Sequence, residues 1–394
     1  MEERQEKMID FICPICGNSD SRYLGTRNGK PYCRKCITFR GQEATGNYIQ
    51  TDSAEYTLHY ELSDDQKRLS KQLVDNYKNG VDSLVHAVCG SGKTEIVLDI
   101  IKYAISSGHR VGFAVPRRDV ARELYQRFKN IFVNNTVSAV YGGHTNKLEG
   151  DLVCITTHQL FRYQDYFDLL ILDEVDAFPY NGNEILNVFF KKAVRGHCVM
   201  MSATPPKEVI EEFQKPNKMI LRLDTRFHGH PLPVPEIKIR HSIMKYYQLT
   251  EDLRRFSLQN KPVFIFTPTI EICEKVHSVL RFLIKDISFV HSKCPDREEK
   301  IENFRKGKIK ALVTTAVLER GVTLKNLQVI VFNSDHVLYT SAALIQIAGR
   351  AGRKKECPTG EVIFIAGRKT QEMELAIKEI ERANQALQGV FPRV

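Results

Sequence analysis

The sequence contains no tryptophan. That removes one of the side chains that stack on nucleobases and leaves 15 Tyr and 21 Phe for such a role. No apolar run approaches the ~18 residues that a membrane-crossing helix needs. The opening residues, MEERQEKMID, hold no apolar h-region, so the chain reads as one without a secretory signal and as cytoplasmic. There is no low-complexity tract and no short internal repeat. What is present is an ordinary globular balance, 42% hydrophobic and 26% charged, which argues against a disordered or fibrous chain. At 394 residues the chain exceeds one ordinary core, so two or more domains are expected. Its ten cysteines are expected to be reduced or bound to metal.

Charge is unevenly spread. The two signs balance over residues 1–205, so the whole surplus of +10 falls in residues 206–394. A polyanion such as nucleic acid is the natural partner of such a half, and a plainly solvated basic surface is the alternative.

The pattern along the chain divides it into a cysteine-rich module over 1–44, a connector over 45–62, and two α/β halves over 63–205 and 241–394. An irregular Pro-rich linker over 206–240 joins the halves. Short apolar runs at Ser83–Val88, Arg110–Val115, Leu152–Thr156, Leu169–Leu172 and His197–Met201 alternate with helical patterns at Asp65–Asn79, Thr94–Ser107 and Asp119–Asn130. After Pro231, Pro233 and Pro235 the alternation restarts. Strands are expected at Pro262–Phe266, Ile287–Val290, Ala311–Val313, Val329–Phe332 and Val362–Ile365. Helices are expected at Glu271–Ile284, Asp296–Lys306, Ser341–Ala348 and Thr370–Leu387. Apolar strands separated by helices predict βαβ units and parallel sheets.

Cys13-Pro-Ile-Cys16 and Cys33-Arg-Lys-Cys36 form C-x2-C-x16-C-x2-C. Each pair places two thiolates on one tight turn, and two such turns complete a tetrahedral zinc site. Four thiolates leave no open position, so the zinc is expected to be structural. The bland alternative is four unrelated thiols.

Cys89-Gly90-Ser91-Gly92-Lys93-Thr94 follows a strand and opens a helix, the context of a phosphate-binding loop. Gly90 and Gly92 free backbone N–H groups to close on phosphate oxygens. Lys93 reaches the β- and γ-phosphates of ATP, and Thr94 holds Mg²⁺. The first glycine of the motif is replaced by Ala87. Asp173-Glu174-Val175-Asp176 follows the strand Leu169–Leu172. Asp173 is assigned to the metal and Glu174 to the general base that polarises the attacking water. Alone this is a weak signal, an acidic turn; paired with GSGKT it is strong. Arg350 and Arg353, three apart and preceded by Gly349 and Gly352, are expected on one helix face beside Gln346, placed to neutralise γ-phosphate charge.

These motifs, with Ser202-Ala-Thr204 and QIAGRAGR (346–353), resemble superfamily 2 helicases of the DEAD/DExH kind over residues 58–394. The resemblance implies two RecA-like domains in tandem and a nucleic-acid-dependent ATPase. It implies that Gln66 reads adenine, and it adds Ser91 and Gly321 to the nucleotide site. It implies strand contacts from Arg117, Gly143, Thr157, His158, Thr267 and Thr315. Thr323 departs from the Asp that often follows the Arg320-Gly321 pair. A four-Cys module ahead of HAVCGSGKTE, DEVDAFPY, MSATP and QIAGRAGR is similar, more narrowly, to the ComFA family of competence ATPases, relatives of the primosomal helicase PriA. That resemblance implies single-stranded DNA as the track and a role in import of transforming DNA. It also implies a peripheral setting at the membrane uptake machinery, and ComFC and DprA as partners. An RNA helicase, a replication-restart helicase and a nucleotide-switched DNA-binding adaptor are the competing readings.

Overall fold

Short, near-continuous apolar runs build two large sheets, as strands buried on both faces require. In the computed structural model, which describes residues 11–315 and 324–387, the chain divides into two units. One comprises residues 1–61, 67–85 and 94–221; the other comprises 62–66, 86–93 and 222–394.

The first unit begins with a hairpin, β1 (Leu24–Arg27) and β2 (Lys30–Cys33), closed by Asn28 and Gly29, both at positive φ. An Asn-Gly pair supplies that conformation cheaply, and its twist matches the strands. Gly25 faces Tyr32 across the hairpin, and a Cβ there would press 2.7 Å from the ring. The motor segment follows as α1 (Asp64–Lys78), β3 (Asp82–Ala87), α2 (Lys93–Ile96), α3 (Leu98–Ser106), β4 (Val111–Val115), α4 (Arg118–Ile131), β5 (Val137–Val140), β6 (Leu152–Thr156) and β7 (Phe167–Asp173). It continues through α5 (Glu184–Ala193), β8 (Val194–Ser202), α6 (Lys207–Glu212) and β9 (Lys218–Leu223). The seven-stranded sheet runs β5-β6-β4-β7-β8-β3-β9, and β5, β6, β4, β7 and β8 pair in parallel. β4 and β6 are buried at every residue, as a sheet covered on both faces requires. The expected helix Thr94–Ser107 breaks at Val97 into α2 and α3.

The second unit contains β10 (Glu236–Ile239), α7 (Met244–Leu258), β11 (Val263–Phe266), α8 (Ile270–Leu280), β12 (Ile287–Val290), α9 (Arg297–Arg305) and β13 (Ala311–Thr314). β14 (Gln328–Phe332), α10 (Ser341–Ala348), β15 (Val362–Ala366) and α11 (Gln371–Leu387) complete it. Its six strands run β10-β15-β14-β11-β13-β12, all parallel. The period-two alternation of β11 sorts its side chains by face. Phe264 and Phe266 pack with Phe304, Leu344 and Ile380; Val263 and Ile265 pack with Leu253, Phe256 and Val276.

The segment 206–240, irregular by sequence, contains α6, β9 and β10. β10 carries Lys238, whose ammonium lies 2.8 Å from the buried carboxylate of Asp252 on α7.

Candidate nucleotide site and its flanking motifs

The four cysteines converge. Cys13 Sγ lies 3.5 Å from Cys36 Sγ, Cys16 Sγ 3.7 Å from Cys33 Sγ, and all four sulfurs fall within 4.8 Å of one another. Thiolates at ~2.3 Å from a tetrahedral zinc would stand about 3.8 Å apart, so the donor set fits that ion. Gly17, at φ +69°, closes the first knuckle and donates its N–H to the Cys13 carbonyl.

This module is built into the first unit. Cys13, Cys16, Cys33 and Cys36 share one core cluster with Leu160, Tyr163, Phe189 and Phe190. Phe39 stacks on His158 at 6.2 Å and meets Phe189 edge-on at 4.9 Å. The buried Arg162 guanidinium donates to the Gln42 carbonyl at 2.5 Å, and Ala44 N–H returns a bond to the Arg162 carbonyl. Lys192 reaches the Pro14 carbonyl. The short 3₁₀ helix Thr157–Arg162, which carries the expected strand contacts Thr157 and His158, is therefore clamped by the zinc module. Burial lowers the His158 pKa, so the ring is held neutral at pH 7.

In the phosphate loop Gly90 and Gly92 adopt φ +82° and +79°, conformations in which a Cβ would be strained. Lys93 Nζ donates to the Ala87 carbonyl at 3.3 Å. Ser91 is fully buried and its hydroxyl has no hydrogen-bond partner. Gln66 is buried and its amide is committed at both ends, Nε2 donating to the Ser91 carbonyl at 2.8 Å and Oε1 accepting from Ser63 N–H. Ser63 Oγ accepts from Gln66 N–H in return, a capping box that anchors the start of α1 to the loop. Thr94 lies in α2.

Asp173 closes β7 opposite Met201 on β8. Its carboxylate accepts the Glu174 N–H at 2.8 Å, and Glu174 sits at φ +63°. Asp176 accepts hydroxyl bonds from Ser202 (2.6 Å) and Thr204 (3.0 Å), joining DEVD to Ser-Ala-Thr. This role of Asp176 was not read from the sequence, although a second aspartate three residues after Asp173 was its signal.

The arginine motif differs from expectation. Helix α10 carries Gln346 but stops at Ala348, with Gly349 as its C-cap, so Arg350 and Arg353 lie beyond it rather than on a helix face. Gly352, at φ +65°, makes the continuation a turn. Arg350 is buried, and Arg353 Nε donates to the Gly349 carbonyl at 3.1 Å. Gly349 is glycine for a second reason: a Cβ there would stand 2.5 Å from Cys89 Cβ.

Arg117 is the N-cap residue of α4, without capping through its side chain. Gly143 takes φ +83° in the exposed turn between Tyr141 and His144, whose rings stack at 4.9 Å beneath Arg118. Thr267 and Thr315 come together at the ends of β11 and β13. Thr267 N–H and hydroxyl both donate to the Thr314 carbonyl, and the buried Thr315 hydroxyl has no hydrogen-bond partner among the described residues. Gly321, with Glu319, Arg320 and Thr323, lies outside the described residues.

Residues 59–207 match the family model of the type III restriction enzyme res subunit, and residues 245–355 match that of the helicase conserved C-terminal domain. Among solved structures, yeast (S. cerevisiae) Dbp5 bound to RNA and ADP BeF3 is similar in fold, with a TM-score of 0.61 at 18% identity over 84% of this chain and 92% of that one. Two RecA-like domains with these matches define a nucleic-acid-dependent ATPase of helicase superfamily 2, whose ATPase domains imply ATP and Mg²⁺.

Two relatives match nearly end to end. Competence protein ComFA of Bacillus subtilis (strain 168) is 34% identical over 95% of this chain and 86% of its own length. Competence protein ComFA of Streptococcus pneumoniae (strain ATCC BAA-255 / R6) is 33% identical over 97% of this chain and 92% of its own. The chain belongs to the ComFA family.

Proposed function

We propose that this chain is an ATP-driven motor that translocates single-stranded DNA during import of transforming DNA. The observation that carries the reading is the near end-to-end match to two competence proteins. In this reading Lys93 and the N–H groups of Gly90, Ser91 and Gly92 hold the ATP phosphates, and Gln66 and Gly321 contact the nucleoside. Mg²⁺ held by Thr94 and Asp173 would neutralise phosphate charge. Glu174 takes a proton from the attacking water, and Arg350 and Arg353, with Gln346, stabilise charge on the transferred phosphoryl group.

Contacts to the strand come from Arg117, Gly143, Thr157, His158, Thr267 and Thr315. Two of these residues support that assignment physically. Among the described residues, the buried hydroxyls of Thr157 and Thr315 have no hydrogen-bond partners, and such groups persist in a fold where another requirement retains them. Phosphate and sugar contacts carry no base information, which suits a motor that must move along any sequence. Zinc on the four thiolates holds the N-terminal module together. Among the described residues no helix is long and apolar enough to cross a membrane, so attachment to the uptake machinery would run through partners. ComFC and DprA are the ones the family resemblance implies.

The test is ATP turnover by the zinc-loaded protein with no nucleic acid, single-stranded DNA, duplex DNA and single-stranded RNA, all at one salt concentration. Stimulation greatest with single-stranded DNA is expected. Greatest stimulation by RNA would replace the reading with an RNA helicase, and turnover indifferent to every strand would return the adaptor.

A further inference from the structure

Just beyond β9, Arg226 is 3% exposed, and every one of its hydrogen bonds goes to a backbone carbonyl. Nε points to Cys89 O at 3.3 Å, at the entry to the phosphate loop. The two terminal nitrogens point to Gly352 O (2.8 Å), Gly349 O (2.9 Å) and Ala351 O (2.9 Å), in the turn that carries Arg350 and Arg353. The neighbours of Arg226 extend the same bridge. Phe227 N–H donates to Gly90 O at 3.2 Å, and the His228 ring lies 3.1 Å from Gly352 O. The phosphate loop, the strap 226–228 and the arginine turn all belong to the second unit.

This is an expensive way to satisfy carbonyls. A buried guanidinium without a carboxylate carries a desolvation cost that hydrogen bonds to neutral carbonyls offset only in part. Burial, and next the charge of Arg353, pull the Arg226 pKa down to about 10. The residue therefore stays charged at pH 7 against its surroundings. What a guanidinium adds over any apolar filler is its planar fork, which reaches acceptors in two directions at fixed angles. Here one edge addresses the loop and the other the turn.

We propose that Arg226 is a positioning residue for ATP hydrolysis, a latch that registers the turn bearing Arg350 and Arg353 against the phosphate loop. The inference rests on the ATPase reading of the site and is independent of DNA import. It predicts a defect in turnover rather than in nucleotide capture, because the latch grips carbonyls outside the loop's own phosphate-binding N–H groups.

The experiment compares wild type with R226M, R226K and R226A as full-length, zinc-loaded protein. The readouts are kcat and KM for ATP, affinity for a fluorescent ATP analogue, and melting temperature without nucleotide. The expected result for R226M is kcat at least about ten-fold lower in a folded protein, with KM and analogue affinity within about three-fold and melting temperature lower by only a few degrees. R226K keeps the charge but loses the fork and should not restore kcat. Wild-type kcat in folded R226M overturns the latch. So does a parallel fall of melting temperature, affinity and kcat in all three variants, or their failure to fold, either of which would make Arg226 a structural cap of α10. Wild type that turns over no ATP would instead remove the ATPase reading itself.

Discussion

At the scale of one residue, the backbone around Glu174, the proposed general base, is held in an unusual conformation. A non-glycine residue at φ +63° occupies a sparsely populated region of backbone space. It is held there by bonds from its own N–H to the Asp173 carboxylate (2.8 Å) and the Met201 carbonyl (2.9 Å), and by Ala177 N–H donating to its carbonyl. None of these uses the Glu174 side chain. Glu174→Gln leaves each of these backbone bonds in place and removes the proposed proton acceptor. ATP binding should persist while turnover falls about 10²-fold or more, the usual weight of a general base. Equilibrium binding of a nucleotide analogue beside single-turnover hydrolysis checks this, and wild-type hydrolysis in the variant would place the base elsewhere. The glycines of QIAGRAGR carry the same lesson in reverse. Their presence was legible as odd for a helix, but the reason for Gly349, the approach of Cys89, lies 260 positions away in sequence and could not be read from spacing.

Among elements, the zinc module and the 3₁₀ helix Thr157–Arg162 form one structure. The Phe39 ring, the Arg162 guanidinium and the Ala44 N–H join them, so loss of the metal should be felt at a motif expected to touch the strand. Cys13→Ala should release zinc, lower the melting temperature and reduce nucleic-acid stimulation of turnover more than basal turnover. Phe39→Ala leaves the four thiolates intact and removes a half-buried ring, costing about 1–2 kcal/mol, roughly half a full core truncation. It should therefore keep one equivalent of zinc while sharing the loss of stimulation. Metal content by atomic emission and stimulated against basal rates separate the two effects. A Phe39→Ala protein with unaltered stimulation would mean that the clamp is only structural.

The elements legible in the sequence were those with unbroken apolar strands or wide apolar helix stripes. Those missed have physical reasons. Helix α5 runs straight into β8 at Val194 without a loop to punctuate it. Helix α7 buries Thr250 and Asp252 beside Leu249, Leu253 and Phe256, so polar residues interrupt its buried stripe. The Lys238–Asp252 pair, which replaces apolar contact there, is invisible to a hydrophobic pattern. β10, half-buried at its two central positions between Pro235 and Arg240, offered no buried-strand signal either.

At the scale of the whole molecule the decisive quantity is charge. The surplus of +10 lies wholly in residues 206–394 and is already net of local ion pairs such as Lys238–Asp252, Arg255–Glu361 and Lys300–Asp296. Cations that meet the phosphates of a strand bind it with release of counterions. Affinity for single-stranded DNA should then fall as a power of salt concentration. A site neutralising about five phosphates loses roughly a hundred-fold between 50 and 200 mM salt. ATP capture through the shielded loop N–H groups should change far less over the same range, so raising salt should uncouple stimulated from basal turnover before basal turnover declines. Fluorescence anisotropy of a labelled oligonucleotide, titrated across that range beside basal ATPase rates, measures both. A flat salt dependence of DNA affinity would mean that stacking on the bases rather than phosphate contact holds the strand, and the basic surplus would then have no part in binding.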